Sequence, residues 1–237
     1  MLDPMDPADL ARTLARAALF TGWEPEALRP LAAQASVRRL ARGEAVWHEG
    51  EAATAFTVVR SGLVKILRRA PDGGEIIVAL FGPRESIGDA AVLAGEPYPA
   101  AALAASEEAS VVRIPAPPVL AAMRDRAVRG EAMIRALASH NRALQDKILI
   151  LGCATVPRRL AALLLTLAER FGEEPAGGGM EVPVALSRGE LARFVHATLE
   201  TVSRTMSAWG KAGLVETRED GFRIPEPARL RALLEAD

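Results

Sequence analysis

Cysteine is nearly absent from this chain, with Cys153 the single cysteine among 237 residues. One cysteine excludes a disulfide framework within the chain and a multi-cysteine metal site, and it is typical of a protein from a reducing compartment. Long hydrophobic runs are also missing, because stretches such as residues 148–156 fall well short of the roughly 18 residues that a membrane helix needs. The N-terminus lacks the basic, apolar and small-residue order of a signal peptide. We therefore predict a soluble, cytoplasmic protein that does not bind membranes.

Groups of catalytic residues are equally scarce. The three histidines, His48, His140 and His196, are scattered along the chain, and no nucleophile–base pair, phosphate-binding loop or metal-ligand cluster accompanies them. We therefore predict that the protein is not an enzyme and has neither catalytic residues nor a metal site. The formal net charge of −1 excludes a uniformly basic surface. A local basic patch stays compatible with it, because binding depends on where the charges lie.

The elements that the chain does contain follow one another in a clear order. Residues 8–35 have the spacing of two short helices, and from residue 36 many short β-type runs alternate with glycine turns, of which Asp72-Gly73 is a strong hairpin signal. Many short strands with regular turns predict a sandwich or a jelly-roll-like barrel. A helical pattern begins near residue 119. We predict an α+β protein with three parts, a β-roll sensor domain with N-terminal helices at 1–118, a long dimerisation helix at 119–153 and a winged helix-turn-helix domain at 154–237.

The long helical segment carries a heptad repeat. Its core positions hold Ile134, Asn141 and Ile148 at a, and Leu137, Leu144 and Leu151 at d. Isoleucine at a with leucine at d favours two strands, and a single asparagine at a fixes the register and the dimeric state. An amphipathic helix packed on its own domain would show similar spacing, but a buried asparagine is hard to explain in an ordinary core. We therefore predict that these six residues form the interface of a homodimer.

The C-terminal part has the signals of two helices joined by a tight turn. Ser187 followed by Glu190 is a capping box that starts the first helix, and Thr198 is placed to cap the second. Gly213 ends the second helix, and a hairpin with Asp220-Gly221 at its tip follows. A helix, a turn, a second helix and a hairpin together predict a winged helix-turn-helix.

The second helix of this motif has a polar side that suits the reading of bases. An arginine such as Arg204 can bind guanine O6 and N7, Glu200 can accept a hydrogen bond from cytosine N4, and Ser203 can contact either kind of base edge. Arg188, at the start of the first helix, is placed to contact a phosphate. The alternative interpretation is a solvated face on which Glu200 and Arg204 form an i,i+4 ion pair. The complete helix-turn-helix and wing favour double-stranded DNA as the partner.

With these parts in this order, the chain resembles the Crp/Fnr superfamily of bacterial transcription regulators over almost its whole length. The family pattern T-x-E-T-x-S-R is matched by Thr198, Glu200, Thr201, Ser203 and Arg204. Leu199 and Ser203 are closer to the Fnr-type branch than to the Crp-type branch, which usually has arginine and glycine there, while His196 replaces a glycine that is usual in the turn. The resemblance implies a β-roll of the cyclic-nucleotide-binding-domain type and a homodimer that reads a palindrome with TTGA-like half-sites. It also implies RNA polymerase as a partner.

The signal that controls the protein is harder to predict than its DNA binding. Gly88 and Asp89 match the Gly-Glu pair of the family's phosphate cassette, which makes them candidates for an effector pocket. Pro99 and Ala100 stand where the cassette should have arginine and serine. A buried phosphate without a cationic partner is costly, so the sequence disfavours cAMP. Arg84 lies nearby without matching the motif, and we interpret it as a solvated turn residue.

Two other signals known in the family are weighed in the same way. An iron–sulfur cluster needs four cysteine ligands in the Fnr-type oxygen sensors, which a single cysteine does not supply. We expect Cys153 to be a small buried apolar residue. Haem, which nitric-oxide-responsive relatives use, stays an alternative cofactor. The sequence singles out none of the three histidines as its ligand. The alternatives are therefore a haem-dependent regulator that responds to nitric oxide or redox state, and a regulator without an effector that is controlled by its abundance.

Overall fold

The computed structural model describes residues 6–70 and 73–235, so the predicted turn residue Asp72 lies outside the described residues. The chain divides into two compact units. The first unit contains the described residues up to Arg69 and Ala79–Ala143, and the second contains the described residues of Ala70–Val78 and those from Leu144 onward. No helix of the described residues is long and apolar enough to cross a membrane.

The first unit begins with the two expected short helices, α1 (Pro7–Ala15) and α2 (Pro25–Ala32), separated by one turn of 3₁₀ helix at Ala18–Phe20. Asp6 caps α1, because its carboxylate accepts a hydrogen bond from the Ala8 N–H at 3.0 Å. Both helices carry a proline in their first turn, where a missing N–H costs nothing. Their leucines are buried in a common hydrophobic cluster with residues of the sheet.

The predicted β-roll is confirmed. The strands among the described residues before the long helix are β1 (Ser36–Ala41), β2 (Ala45–Trp47), β3 (Ala55–Ser61), β4 (Val64–Arg69), β5 (Glu75–Phe81), β6 (Ser86–Ile87), β7 (Ala101–Ala104) and β8 (Glu108–Pro115). Within the described part of the chain they form two four-stranded sheets, in the orders β1-β8-β3-β6 and β2-β7-β4-β5. Along β3 and β8, alternate residues enter opposite clusters of buried apolar side chains, with Phe56 and Val58 in one cluster and Val59 and Val111 in the other.

A stacked pair of aromatic rings lies beside the short helix α3 (Asp89–Ala94) of this unit. The rings of Trp47 and Tyr98 are 4.0 Å apart between centroids and within 13° of parallel. Gly88, which precedes α3 with φ of 76°, packs directly against both rings. A Cβ atom at Gly88 would lie 2.7 Å from Tyr98 Cε1 and 3.0 Å from Trp47 Cη2. Glycine is therefore required here for its left-handed backbone and for the close approach of the rings.

The helical segment predicted at 119–153 is two helices, α4 (Ala116–Asp125) and α5 (Ala127–Gly152). Arg126 breaks them because its backbone is extended, with φ of −141° and ψ of 124°. Glu24 fixes this corner, since its two carboxylate oxygens accept from Arg126 at 2.7 Å and from Arg129 at 3.2 Å. The sequence pattern missed the break, because periodicity alone does not register one extended residue within a helical run.

The second unit has the predicted winged helix fold. Its elements after the end of α5 are α6 (Val156–Phe171), β9 (Met180–Val182), α7 (Arg188–Val195), α8 (Leu199–Lys211), β10 (Glu216–Thr217), β11 (Phe222–Ile224) and α9 (Pro227–Glu235). The three short strands pair in the order β10-β11-β9 within the described residues. Helix α9, which the sequence reading did not identify, packs against α6. The domain limits proposed from the sequence stay a prediction.

The close packing around Gly88 is testable by its effect on stability. We expect Gly95→Ala, at the other end of α3, to lower the free energy of unfolding by about 1 kcal/mol, because its φ of 68° favours glycine but open space surrounds it. Gly88→Ala adds a clash with two rings to a similar backbone cost, so it is expected to cost about 2 kcal/mol more. Urea denaturation measures both variants, and equal losses would contradict the packing at Gly88.

Candidate nucleic-acid interface

Helix α7 begins at the predicted capping box. The Ser187 hydroxyl oxygen accepts from the Glu190 N–H at 3.1 Å, and a Glu190 carboxylate oxygen accepts from the Ser187 N–H at 2.9 Å. Two backbone N–H groups at this helix end are thereby satisfied within the motif. The Glu190 side chain is buried, so it serves the architecture of the motif and is not available to a ligand.

The turn between α7 and α8 depends on His196. Its φ of 50° and ψ of 63° are left-handed, a conformation that histidine tolerates better than most residues. Thr198 then caps α8, since its hydroxyl oxygen accepts from the Thr201 N–H at 3.3 Å. The departure from glycine in the turn therefore leaves the helix-turn-helix geometry intact.

Helix α8 divides into a buried side and an outward side. The apolar residues Val202, Met206 and Trp209 are buried in the second unit. The side chains of Glu200 and Arg204 are exposed, while Thr201 and Ser203 between them are half-buried. No Glu200–Arg204 ion pair forms among the described residues, so the alternative of a simple i,i+4 pair is not what the structure shows. Both charged groups stay open to an external partner.

Arg188 lies at the first turn of α7, where it also contacts the wing. Its Nη2 donates to the Thr217 hydroxyl on β10 at 2.8 Å, and its Nη1 is buried without a hydrogen-bond partner. Burial lowers the pKa of the Arg188 guanidinium from its usual value, although arginine stays charged. The sequence predicted only a phosphate contact at this residue. The structure shows that Arg188 also joins α7 to the wing. The sequence pattern does not indicate this contact.

The arginines of the wing are largely neutralised by neighbouring acids. Arg218 donates to both carboxylate oxygens of Glu181 at 3.0 Å, and Arg223 lies 3.4 Å from the same carboxylate. Glu216 is within 3.4 Å of Arg218 and 3.6 Å of Arg223. The wing therefore offers little free positive charge, and the exposed polar side of α8 becomes the main candidate surface for contacts with bases.

Lys147, on the part of α5 that belongs to the second unit, is a residue that the sequence reading missed. Its ammonium group donates to the Phe194 carbonyl near the end of α7 and lies 4.2 Å from the centroid of the Phe194 ring. A cation is favoured at a helix C-terminus and over an aromatic face. Burial lowers the pKa of Lys147 to about 8. Lys147 therefore links α5 to the end of α7. Its position in the heptad repeat does not indicate this contact.

Of the two candidate effector residues in the first unit, Asp89 is enclosed by protein and Gly88 is half-buried. Asp89 is fully buried, and one of its carboxylate oxygens accepts a hydrogen bond from the Ser86 hydroxyl. Burial raises the pKa of Asp89 above its usual range. His140 of α5 lies 3.9 Å from the same carboxylate, and its Nε2 is 2.8 Å from the Ser86 carbonyl oxygen. The structure thus brings Asp89 to the long helix, and Gly88 to the stacked rings.

Among the described residues, no histidine belongs to a group of three or more side chains that could hold a metal ion. His48 is exposed in the loop after β2, His140 is engaged with Ser86, and His196 forms the turn between α7 and α8. Cys153 is half-buried, and its thiol lies 3.6 Å from the Leu149 carbonyl oxygen. Its burial is less complete than we expected. The geometry identifies none of these four residues as a haem ligand.

Comparisons with known proteins agree with this architecture. Residues 37–126 match the family described as cyclic nucleotide-binding domain, and residues 158–233 match the family described as Crp-like helix-turn-helix domain. The chain is 32% identical over 217 residues to a CRP-like cAMP-activated global transcriptional regulator of Mycobacterium tuberculosis, covering 92% of this chain and 96% of the relative. It is also 32% identical to the nitrogen fixation regulation protein FixK of Azorhizobium caulinodans, covering 80% of this chain and 76% of FixK.

Solved structures show the same arrangement of elements. The structure of FixK2 from Bradyrhizobium japonicum has a TM-score of 0.73 at 25% identity and covers 86% of this chain and 98% of that one. A CRP-family transcriptional regulator from Thermus thermophilus has a TM-score of 0.69 at 26% identity, covering 84% of this chain and 97% of that one. The β-roll, the long helix and the helix-turn-helix define a DNA-binding transcription regulator, which is not an enzyme. The chain belongs to the Crp/Fnr superfamily.

The Lys147 contact predicts a dependence of stability on pH. The pKa of Lys147 is about 8 in the folded protein against an ordinary value of 10.5, so the unfolded chain binds more protons between these two values. The contribution of Lys147 to the free energy of unfolding therefore rises with pH across this window and is constant below it. We expect Lys147→Met to remove that rise in urea denaturation measured from pH 7 to 10.

The exposed lysine at the end of α8 provides the matched control for this experiment. We expect Lys211→Met to keep the pH profile of the wild-type protein, because Lys211 is solvated. A Lys147→Met profile parallel to that of the wild type would mean that the ammonium group is not held at a lowered pKa.

Proposed function

We propose that the protein is a homodimeric regulator, acting in the cytoplasm with RNA polymerase, that reads a palindromic DNA site with TTGA-like half-sites. The observation that carries this proposal is the division of α8, which buries Val202, Met206 and Trp209 and leaves Glu200 and Arg204 outward and unpaired with each other. An exposed acid is repelled by phosphates, so its presence on a DNA-binding helix favours reading of bases over general attraction.

The roles of the individual side chains follow from the chemistry of base edges. Arg204 binds guanine O6 and N7, Glu200 accepts from cytosine N4, and Ser203 contacts a neighbouring base edge. Thr198 and Thr201 lie at the helix N-terminus, where their hydroxyl groups are engaged with each other at 2.9 Å. We assign these two threonines to positioning the first turn of α8 at the DNA, and the half-buried Arg188 at the start of α7 to a phosphate.

Dimerisation is supported by the face that α5 leaves uncovered. Ile134 and Ile148, at heptad position a, are 67% and 68% exposed in the single chain. Asn141 between them is exposed too, and Leu144 at position d is 45% exposed. Large apolar side chains in a row on one long helix are costly in water. A second copy of α5 would cover them and pair the two asparagines.

Not every heptad position is free for a partner. Leu137, at position d, is partly buried against the hydrophobic cluster of its own chain, and Leu151 is half-buried. The proposed interface therefore rests mainly on the three a positions and Leu144. Since both recognition helices must enter the major groove one turn of DNA apart, about 34 Å, the pairing of the two long helices fixes whether the dimer fits its site.

The signal at the β-roll is proposed to be something other than cAMP or an iron–sulfur cluster. The relative from Mycobacterium tuberculosis is described as cAMP-activated, but this chain has Pro99 and Ala100 at the positions expected for arginine and serine. In addition, Tyr98 is buried, stacks on Trp47 and donates its hydroxyl to the Ala55 carbonyl at 3.2 Å. Tyr98 thereby fills the space directly beside Gly88.

The DNA-reading role of Arg204 is tested with a duplex that contains the palindrome. We expect Arg204→Ala to weaken binding by about 1–3 kcal/mol, or roughly tenfold to a hundredfold, because a bidentate contact to guanine is lost. The variant should also discriminate less against a duplex changed at that base pair. Fluorescence anisotropy at a fixed salt concentration measures both effects.

Arg231→Ala on α9 is the matched control, since it removes the same charge from an exposed position outside the proposed interface. We expect it to change the dissociation constant less than about twofold. Addition of cAMP should leave the affinity of the wild-type protein unchanged. Unaltered affinity and base preference in Arg204→Ala would refute the assignment of α8, and tighter binding with cAMP would refute the exclusion of that ligand.

The dimer interface is tested by placing a charge at a heptad core position. We expect Ile148→Asp to shift the protein to a monomer, because two carboxylates would face each other in an apolar seam. Ser139→Asp introduces the same charge on the same helix at an exposed position outside the heptad core and should leave the dimer unchanged. Sedimentation velocity distinguishes the two, and a dimeric Ile148→Asp protein would show that α5 does not pair through this face.

A further inference from the structure

A basic cavity in the first unit is not explained by DNA binding or by the cassette. It has a volume of about 430 Å³ and lies between α1, the end of β3 and the turn before β6. Its lining includes four arginines from these three places, Arg12, Arg16, Arg60 and Arg84. Neither Gly88 nor Asp89 borders it, so it is separate from the candidate effector residues.

The cavity holds a surplus of positive charge. Its single acid is Asp9, which already forms an ion pair with Arg12. The guanidinium groups of Arg16, Arg60 and Arg84 have no ion-pair or hydrogen-bond partner among the described residues. Three unpaired cations around one concavity repel each other, and an anion placed between them removes that repulsion.

The backbone conformation of Arg84 is a second observation that supports a binding site in this cavity. Its φ of 74° is left-handed, and only His196 shares a positive φ among the other described non-glycine residues. The conformation is held at both ends, because the Arg84 N–H donates to Val59 at 2.8 Å and its carbonyl accepts from Ala18 at 2.9 Å. Glycine would adopt it without strain. Strained backbone of this kind clusters at ligand-binding and other functional sites, which makes the Arg84 side chain a candidate for binding.

We propose that this cavity binds a small ligand with at least two phosphate charges, such as a diphosphate group or a nucleotide that carries one. The arginine fork matches the oxygens of phosphate in a bidentate way, and three such groups match a multiply charged anion better than a single carboxylate. A volume of about 430 Å³ falls within the usual range of small-molecule pockets. The proposed site is formed by arginines of the first unit, and ligand binding there does not depend on DNA recognition by α8.

The test uses inorganic pyrophosphate and the full-length protein without DNA. We expect isothermal titration calorimetry to show saturable binding of one pyrophosphate per chain that weakens as salt is raised. Arg84→Gly removes one guanidinium while giving the backbone its preferred residue, so the variant should keep or raise the melting temperature. Its affinity for pyrophosphate should fall at least about tenfold, through the loss of one charge-assisted bidentate contact.

Further variants make the outcome independent of any single substitution. Arg16→Gln and Arg60→Gln should each weaken binding to a similar degree. Arg124→Gln, which removes an exposed arginine of α4 outside the cavity, should leave it unchanged. Absence of saturable binding, or equal binding by wild type and Arg84→Gly, would overturn the site. Citrate binding as tightly as pyrophosphate would overturn the assignment to phosphate.

Discussion

The amphipathic division of α8 is the constraint on which the proposed function of this protein depends. Burial of Val202, Met206 and Trp209 in the second unit fixes the rotation of the helix about its own axis. Because successive side chains on a helix lie about 100° apart, that rotation places Glu200 and Arg204 on the outward side of α8. The capping box of Ser187 and the buried Glu190 sets where α7 begins, and the left-handed His196 ends α7 ahead of α8. Packing of apolar residues thus determines which polar residues are available to DNA.

The parts of the structure that follow local rules could be predicted from the sequence. Caps such as Ser187 and Thr198 act within three residues of themselves, and their hydrogen bonds are those that the spacing indicates. The winged helix and the β-roll also follow from short-range turn and periodicity signals. The same kind of signal did not reveal the break at Arg126 or helix α9. A single extended residue and a short final helix leave little trace in the pattern.

The interactions that join distant parts of the chain could not be predicted in this way. The contact of Lys147 with Phe194 spans 47 positions, and the stack of Trp47 on Tyr98 joins two different segments of the β-roll. Asp89 was singled out as a ligand-facing residue by resemblance, whereas in the structure it is buried near His140. A motif match identifies the equivalent position in a family, but the neighbours of that position decide what the side chain touches.

The pairing of the wing arginines with acids has a consequence for how the protein finds its target. Residues 216–223 contain three acids and two arginines, and both arginines are engaged with Glu181 or Glu216. Adhesion to arbitrary sequences comes mostly from cations that displace condensed counterions. Under the proposed function, a wing with so little free positive charge predicts a short dwell time on random genomic DNA. The regulator is therefore suited to rapid sampling, with occupancy decided by the bases that it meets.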